Sequence, residues 1–360
     1  MRLNDGWDFE SIKKAIFCLL SAILVLKIRP KSYKLIRIFI NRVCVMGKYL
    51  IKRVLMAFLT VFLVASVTFF LMNAVPGNPW LSDKTPPQSV IDALNAKYGL
   101  DKPLPEQYIR YIGNLLQGDF GASIKMSKNR PVLEMITEKF PISASLGIVA
   151  VAWATLVGVP LGCLAAYCRG KLVDSVLRVV TTLGVSLPSF VVATTLMVLF
   201  CGGIPALHFF PNTFSVANGI RGYVLPCFCL GLYPMCYIAR LTRSSMLDAI
   251  NQEYIKTAYA KGLSVAPILF KHALRNALIP VITYIGPLTA FTLCGGFVVE
   301  NVFGIPGLGK AFVQSITALD YPMIMGTAIF LATFIVVMNL LVDIMYKVVD
   351  PRINLAQGVN

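Results

Sequence analysis

The chain has 360 residues, of which 57% are hydrophobic and 14% are charged, and its mean hydropathy is +0.72. Soluble domains carry about 45–50% apolar and about 25% charged residues. The composition therefore excludes a soluble multi-domain enzyme and a disordered chain, and it is typical of a polytopic membrane protein. Most of the nine cysteines lie in or beside apolar runs, so we predict reduced thiols that pack as small hydrophobic residues.

Positive charge is concentrated near the N-terminus. Residues 1–53 hold 12 Lys/Arg against 3 Asp/Glu, which accounts for +9 of the net charge of +16. This pattern is typical of a cytoplasmic anchor against anionic lipid rather than of a nucleic-acid site. Ala15–Leu26 is short for a membrane span, and Lys31–Val45 has the pattern of a basic amphipathic helix. Residues 1–45 are thus either an extension upstream of a start at Met46, or a real interfacial helix or extra span.

Six apolar runs follow, and a helix needs about 20 such residues to cross a bilayer. The predicted spans are Val54–Val75, Ala144–Tyr167, Val176–Cys201, Tyr223–Ala239, Pro280–Val299 and Met323–Tyr346. The predicted fold class is therefore an all-α polytopic membrane protein with six transmembrane helices. The predicted divisions are an extension at 1–45, a first transmembrane helix at 46–75, an external segment at 76–143, a five-helix core at 144–348 and a tail at 349–360.

The loops between the spans differ in basic content. The connections after the second and fourth spans hold nine Lys/Arg between them, whereas the loops at 204–222 and 300–322 hold only Arg221 and Lys310. Because Lys and Arg are enriched on the cytoplasmic side, the two basic connections are predicted to be cytoplasmic. With six spans, both termini are then cytoplasmic as well.

The connection at 240–279 has an amphipathic helical pattern in two parts. One predicted helical face consists of Met246, Ile250, Tyr254 and Ala258. Gly262 then interrupts the pattern, as at a helix end, and Leu263–Leu278 resumes it. Two helices around a glycine turn predict a cytoplasmic protrusion that docks into a groove on a partner.

The sequence of this connection is also specific. It contains Glu253-Tyr-Ile-Lys-Thr-Ala-Tyr-Ala-Lys-Gly262-Leu and Lys271-His-Ala-Leu-Arg-Asn-Ala-Leu-Ile-Pro280. Both stretches resemble the cytoplasmic EAA loop of ABC importer permeases, most closely in the dipeptide/oligopeptide/nickel branch. Further similar motifs are Ala74-Val-Pro-Gly-Asn-Pro79, Gly118-Asp-Phe-Gly-Ala-Ser123, Ser186-Leu-Pro-Ser-Phe190, Val299-Glu-Asn-Val-Phe-Gly-Ile-Pro-Gly-Leu-Gly309 and Asp350-Pro-Arg352. The chain departs from the general motif at Lys256-Thr257-Ala258, where that motif has Glu-Ala-Ala.

The resemblance implies the type I permease fold, in the membrane of a bacterial cell. It also implies a second homologous permease subunit, two ATPase subunits and an extracytoplasmic binding protein as partners. The chain lacks G-x-x-x-x-G-K-[ST], so we expect ATP and Mg²⁺ on the ATPase subunits and no cofactor, metal or catalytic residue on this chain. The predicted ATPase-coupling residues are Lys256, Thr257, Ala258, Tyr259, Ala260, Lys261, Gly262 and Leu263.

Prolines inside the spans remove backbone hydrogen bonds, and the freed carbonyls need neighbours or water. Pro188, Pro234 and Pro287 are therefore candidates for hinges beside a translocation path, with fixed kinks as the alternative. Glu300 lies at the end of a predicted span, where we expect snorkelling or capping. His208 and His272 are predicted on opposite sides of the membrane, too far apart to share a metal.

Substrate assignment leaves three alternatives. Few charges lie within the spans, which favours a wide aqueous path for di- and oligopeptides. Nickel or another small solute is the alternative for the same architecture, although a nickel path would favour His or carboxylates in the spans. An ion-driven secondary carrier is the alternative from a different class, and it would need mid-span ionisable residues or inverted repeats.

Overall fold

The computed structural model describes residues 30–74, 101–127, 129–202, 209–211 and 219–349, with side chains described only between 51 and 344. The predicted run at Ala15–Leu26, the tail from 350 and His208 lie outside these residues. The chain divides into two compact units, one of residues 1–56 with 356–360 and one of residues 57–355. All regular secondary structure in the described ranges is helical, apart from an isolated bridge between Ala122 and Pro131.

Twelve helices, one of them a short turn, and a π-helical segment follow one another in the described chain. They are α1 Pro30–Ala74, α2 Leu104–Leu116, α3 Val132–Tyr167, α4 Leu172–Ser186, α5 Ser189–Phe200, α6 Arg221–Ile250, α7 Glu253–Ala260, α8 Val265–Pro267, the π-helix Ile268–Ala273, α9 Leu274–Leu293, α10 Phe297–Val302, α11 Leu308–Ala318 and α12 Tyr321–Val349.

Five stretches of the described chain are long and apolar enough to cross a membrane. They are Ile51–Ala74, Val132–Tyr167, Arg221–Ile250, Val265–Val302 and Tyr321–Ile344. The bent pair α4 and α5 makes a sixth if it counts as one span. The predicted all-α polytopic class is confirmed.

The third predicted span, Val176–Cys201, is wrong as a single helix. The chain forms α4 and α5 there, bent by 102° at the break. Leu187 between them is extended, with φ −78° and ψ 125°. Pro188 explains the break, because its ring disfavours a helical conformation for the preceding residue and it cannot donate a backbone hydrogen bond.

Three helices extend well beyond the apolar runs that predicted them. α3 begins at Val132 rather than Ala144, and α6 continues past Ala239 to Ile250. Helical structure ahead of the fifth span begins at Val265 rather than Pro280. Apolar composition reports only the part of a helix that lies in lipid, so the polar ends went unrecognised. Most of the predicted 240–279 loop is therefore helical.

The centre of the bundle is a close contact between α3 and α6. Small residues recur every four positions along α3, and all are buried: Ala150, Ala154, Gly158 and Gly162. A Cβ on Gly158 would lie 2.7 Å from the carbonyl oxygen of Met235, and one on Gly162 would lie 2.5 Å from that of Ala239. The small residues thus allow the two backbones to touch, as in membrane helix pairs generally.

Aromatic side chains join α1 to α2. The ring of Phe70 stacks on Tyr108 at 5.3 Å, and the ring of Phe69 stacks on Tyr111 at 5.4 Å. The hydroxyls of Ser66 and Tyr108 are hydrogen-bonded at 2.7 Å. Burial raises the pKa of the Tyr111 phenol above its ordinary value. These contacts fix α2 against the first span.

Asp320, just ahead of α12, forms hydrogen bonds with the segment at residues 123–126. This buried carboxylate accepts hydrogen bonds from the hydroxyl of Ser123 at 2.5 Å and from the backbone N–H groups of Lys125 and Met126 at 3.0 Å each. Charge-assisted bonds of this kind are stronger than neutral ones. The 123–126 segment is thus held by a residue almost 200 positions away.

Glu300 is buried and does not snorkel, but its carboxylate caps the first turn of α11, which agrees with the capping alternative of the prediction. Its Oε2 accepts a hydrogen bond from the backbone N–H of Lys310 at 3.0 Å. A Cβ on Gly295 would lie 2.6 Å from Oε1, and one on Gly309 would lie 3.0 Å from Oε2. The carboxylate therefore occupies space that glycines leave open, which gives a physical reason for glycine in the Val299–Gly309 motif.

Candidate functional site

The predicted docking segment forms a short helix with a defined end. α7 starts after Asn251 and Gln252, where helix α6 has stopped. Gly262 has φ +76°, its N–H donates to the carbonyl of Tyr259, and the N–H of Leu263 donates to that of Ala258. This pair of bonds is a Schellman motif, which requires the left-handed conformation that glycine adopts without strain. The predicted helix end at Gly262 is confirmed.

The inner face of α7 packs against the end of α6 and the π-helix. Ile255 and Ala258 are buried in one apolar cluster with Met246, Ala249, Ile268 and Ala273. The predicted face is wrong at Tyr254, which is 40% exposed. The break at 251–252 shifts the helical register, so Ile255 takes the inward position. Ala258, one of the predicted ATPase-coupling residues, instead packs the element onto its own bundle.

The outer face of α7 presents apolar groups between basic ones. Tyr259 is 46% exposed and Leu263 is 40% exposed. The other predicted coupling residues on the outer side are also exposed: Lys256, Thr257, Ala260, Lys261 and Gly262. The Lys256 ammonium pairs with Glu253 at 2.7 Å. We call Tyr259, Leu263 and the surrounding lysines the coupling surface. Exposed apolar groups ringed by charge are typical of an interaction site.

One polar contact connects α7 to the membrane helix that follows it, and a second connects the preceding helix, α6, to α4. Asn276, near the start of α9, donates a hydrogen bond to the hydroxyl of Tyr254 at 2.7 Å. On the other side, Arg243 of α6 forms a two-fold pair with Asp174 of α4, with Nε–Oδ1 at 2.7 Å and Nη2–Oδ2 at 2.9 Å. Sequence analysis missed the Asp174–Arg243 pair, because the two residues are 69 positions apart and neither belongs to a local motif.

The three candidate hinge prolines lie in different surroundings. Pro188 is exposed at the break between α4 and α5, Pro234 is buried inside α6, and Pro287 is exposed on α9. Of these, only Pro188 interrupts a helix. Pro234 and Pro287 lie within continuous helices, one buried and one exposed. Their role as hinges stays a prediction.

Within the described ranges, no group of three or more His, Cys, Asp or Glu is placed to hold a metal ion. The seven cysteines described are free, and six of them are buried. His272 is half-buried in the π-helix.

The chain is similar in sequence to a known family of transport proteins. The family described as "Binding-protein-dependent transport system inner membrane component" matches residues 158–355, and its N-terminal counterpart matches residues 46–147. The chain belongs to this permease family. The permease is 43% identical over 310 residues to the dipeptide transport system permease protein DppB of Bacillus subtilis, covering 86% of this chain and 99% of that one. It is 40% identical over 311 residues to the oligopeptide transport system permease protein OppB of Haemophilus influenzae, with the same coverage.

A solved structure described as an amino acid ABC transporter with histidines is also similar. It has a TM-score of 0.46 and 16% identity, and it covers 61% of this chain and 95% of that one. The family and the apolar helices together make the permease a multi-pass inner membrane protein and a component of a transporter.

Proposed function

We propose that the permease carries di- and oligopeptides inward across the bacterial inner membrane, as one of two homologous permease subunits. The observation that carries this proposal is the 40–43% identity, over nearly the full length of the relatives, to proteins named as dipeptide and oligopeptide permeases. Two ATPase subunits supply the energy, with ATP and Mg²⁺ bound to them rather than to this chain. An extracytoplasmic binding protein delivers the peptide.

The coupling surface is where the ATPase subunits act. Tyr259 and Leu263 supply apolar anchors for a groove, and Lys256 and Lys261 face its rim. Burial of Ile255 behind them makes α7 a rigid unit with the ends of α6 and the π-helix. A push on α7 is therefore transmitted to the membrane helices rather than absorbed by a flexible loop.

The force has two routes into the bundle. Tyr254 and Asn276 lead it to α9, which follows the coupling surface in the chain. The Asp174–Arg243 pair leads it from α6 to α4. Closure of the ATPase subunits then moves these helices together and switches the path between inward-facing and outward-facing states. In this arrangement α7 and both termini are cytoplasmic, in agreement with the basic content of the loops.

Uptake measurements test this assignment. In cells that lack the chain, we expect loss of labelled dipeptide and tripeptide uptake with unchanged nickel uptake, and restoration by the plasmid-borne gene. Uptake that fails for nickel but not for peptides would support the small-solute alternative instead. Peptide uptake that persists without ATPase subunits and collapses with a protonophore would support an ion-driven carrier.

A further inference from the structure

One face of α6 is polar and is not covered by the chain's own helices. Its members are Tyr233, Tyr237, Arg240, Ser244 and Asp248, spaced by four, three, four and four residues. That spacing places all five on one side of a helix. Tyr233 is 46% exposed and Tyr237 is partly exposed, and the other three are exposed. We call this set the polar stripe.

The opposite face of α6 has the reverse character. It packs into the bundle through Met235, Cys236, Ile238, Ala239, Thr242 and Met246, all of which are buried. α6 therefore turns its apolar side toward the bundle and its polar side outward, whereas a helix that faces lipid turns its apolar side outward. Within the predicted span Tyr223–Ala239 the stripe would expose the hydroxyls of Tyr233 and Tyr237 to hydrocarbon if it faced lipid, whereas Arg240, Ser244 and Asp248 lie beyond that span.

A tyrosine from a second helix joins the stripe. The ring of Tyr284 on α9 stacks on Tyr237 with centroids 4.3 Å apart, and Tyr237 in turn faces Tyr233 at 6.4 Å. Tyr284 is ten residues from Leu274 and nine from Leu293, the ends of α9. Counted from Pro280, where the predicted span begins, Tyr284 lies four residues, or about 6 Å, inside the span.

Tyr284 lies inside the predicted span Pro280–Val299, and its ring is stacked on Tyr237 rather than standing alone as an interfacial anchor. Tyrosines that anchor membrane helices lie in belts at the two interfaces, where the phenol reaches water. A stacked tyrosine inside a spanning helix needs another source of polar partners. A water-filled path provides such partners, and the charged residues of the polar stripe extend this hydrated surface toward the cytoplasm.

We propose that Tyr233, Tyr237 and Tyr284 line the translocation path and bind the peptide in transit. This inference rests on the proposed function. A phenol ring stacks on peptide planes and apolar side chains, and its hydroxyl both donates to a carbonyl and accepts from an N–H. Such groups recognise the backbone common to all peptides and tolerate any sequence. They suit a path whose cargo varies in its side chains.

The position of the three tyrosines also connects them to the coupling surface. α6 leads into the coupling surface and α9 leads out of it, so the two helices that carry the rings are those on which α7 acts. A relative movement of α6 and α9 would separate Tyr237 from Tyr284. The pair is stacked at 4.3 Å in this structure, so its separation would widen this part of the path.

Thiol accessibility tests the proposal. Tyr233→Cys, Tyr237→Cys and Tyr284→Cys are each assembled with the other subunits in proteoliposomes, and a hydrophilic thiol reagent is added with and without binding protein loaded with dipeptide. Ile282→Cys is the matched control, because Ile282 is 43% exposed on the same helix as Tyr284 and lies about 200° around it. Mass spectrometry measures labelling at the introduced residue, separately from the native thiols.

We expect the three stripe variants to react about tenfold faster than Ile282→Cys, since only a hydrated thiol ionises readily. Loaded binding protein with ATP should slow their labelling and leave the control unchanged. Equal, slow labelling at the stripe and control positions would overturn the proposal. That result would mean that the tyrosines face lipid or are buried against the second permease subunit without water. Labelling that dipeptide does not slow, in proteoliposomes whose wild-type protein imports dipeptide, would overturn peptide binding.

Wild-type uptake separates this inference from the function on which it rests. If the wild-type assembly imports no peptide, the proposed function fails regardless of labelling. Tyr237→Phe provides a second measurement that does not depend on a cysteine variant that folds poorly. We expect its KM for dipeptide uptake to rise about fivefold with kcat unchanged, the size of one lost neutral hydrogen bond. An unchanged KM in Tyr237→Phe and Tyr284→Phe alike would contradict backbone recognition by the hydroxyls.

Discussion

Asp174 and Arg243 lie 69 residues apart and form a two-fold ion pair, with N–O distances of 2.7 and 2.9 Å, between α4 and the last turns of α6. The backbone N–H of Gly170 also donates to the Asp174 carboxylate, at 3.1 Å. Asp174 is almost fully covered, whereas the Arg243 side chain is 21% exposed. The pair therefore joins the bent helix pair to the helix that enters the coupling surface, at a partly hydrated edge of the bundle.

Loss of the Asp174 charge should loosen this junction. Asp174→Asn keeps the shape of the side chain but leaves Arg243 without its counter-ion. We expect the detergent-solubilised permease to lose about 2 kcal/mol of stability, between the values for exposed and for buried pairs, because water reaches Arg243. The measurement is the thermal unfolding midpoint, together with ATP hydrolysed per peptide imported.

Arg178 supplies the control for that experiment. It approaches Asp174 only at 3.6 Å and is largely exposed, so Arg178→Gln should change the midpoint little. If Asp174→Asn and Arg178→Gln behaved alike, the two-fold pair would have no special part in joining α4 to α6.

Asp320 should control the order of the 123–126 segment. Asp320→Ala removes the acceptor shared by the Ser123 hydroxyl and the N–H groups of Lys125 and Met126. We expect the amides of 124–126 to exchange hydrogen at least about tenfold faster, since unsatisfied donors cost more than 1 kcal/mol. Asp119→Ala, which loses one exposed bond to Gly121, should leave those amides unchanged. Unaltered exchange in Asp320→Ala would refute the anchoring role.

Gly162 should resist even the smallest side chain. A Cβ there would lie 2.5 Å from the carbonyl oxygen of Ala239, so Gly162→Ala must push α3 away from α6. We expect a loss of about 1–3 kcal/mol in unfolding free energy, as for other overpacked sites. Gly113→Ala is the matched control: nothing lies within 4 Å of its Cβ, and on helix α2 it should gain up to about 1 kcal/mol. Equal stabilities for the two variants would argue against a close α3–α6 contact.

The sequence located the apolar centre of each span, because residues in the hydrocarbon layer must be apolar and this shows directly in the composition. The sequence did not reveal the start of α3, the end of α6 or the start of the helical structure ahead of α9, because the polar turns there resemble loops. It placed Gly262 correctly, since only a local conformation was at issue. The burial of Ile255 was not predicted, because it depends on the two-residue break between α6 and α7. The Asp174–Arg243 and Ser123–Asp320 contacts were not predicted either, because they join segments that are far apart in the chain.

The Gly262 turn should tolerate residues according to their left-handed preference. Gly262→Asn should preserve peptide uptake, because Asn adopts positive φ at modest cost. Gly262→Pro cannot adopt φ +76° and lacks the N–H that Tyr259 accepts, so the protein should insert but uncouple ATP hydrolysis from uptake. Uptake and ATPase rates in the same proteoliposomes measure both effects. Full uptake by a correctly inserted Gly262→Pro variant would show that the turn has no part in coupling.

The central claim is that the coupling surface is held by ATPase subunits, and cross-linking from Tyr259 tests it most directly. A photo-reactive amino acid replaces Tyr259 in the assembled transporter, with one at exposed Ile109 on α2 as the control. The account predicts cross-links from the Tyr259 position to an ATPase subunit, with a yield that changes when ATP is trapped, and none from Ile109. Cross-links from Tyr259 to the extracytoplasmic binding protein, or none to any ATPase subunit, would contradict it.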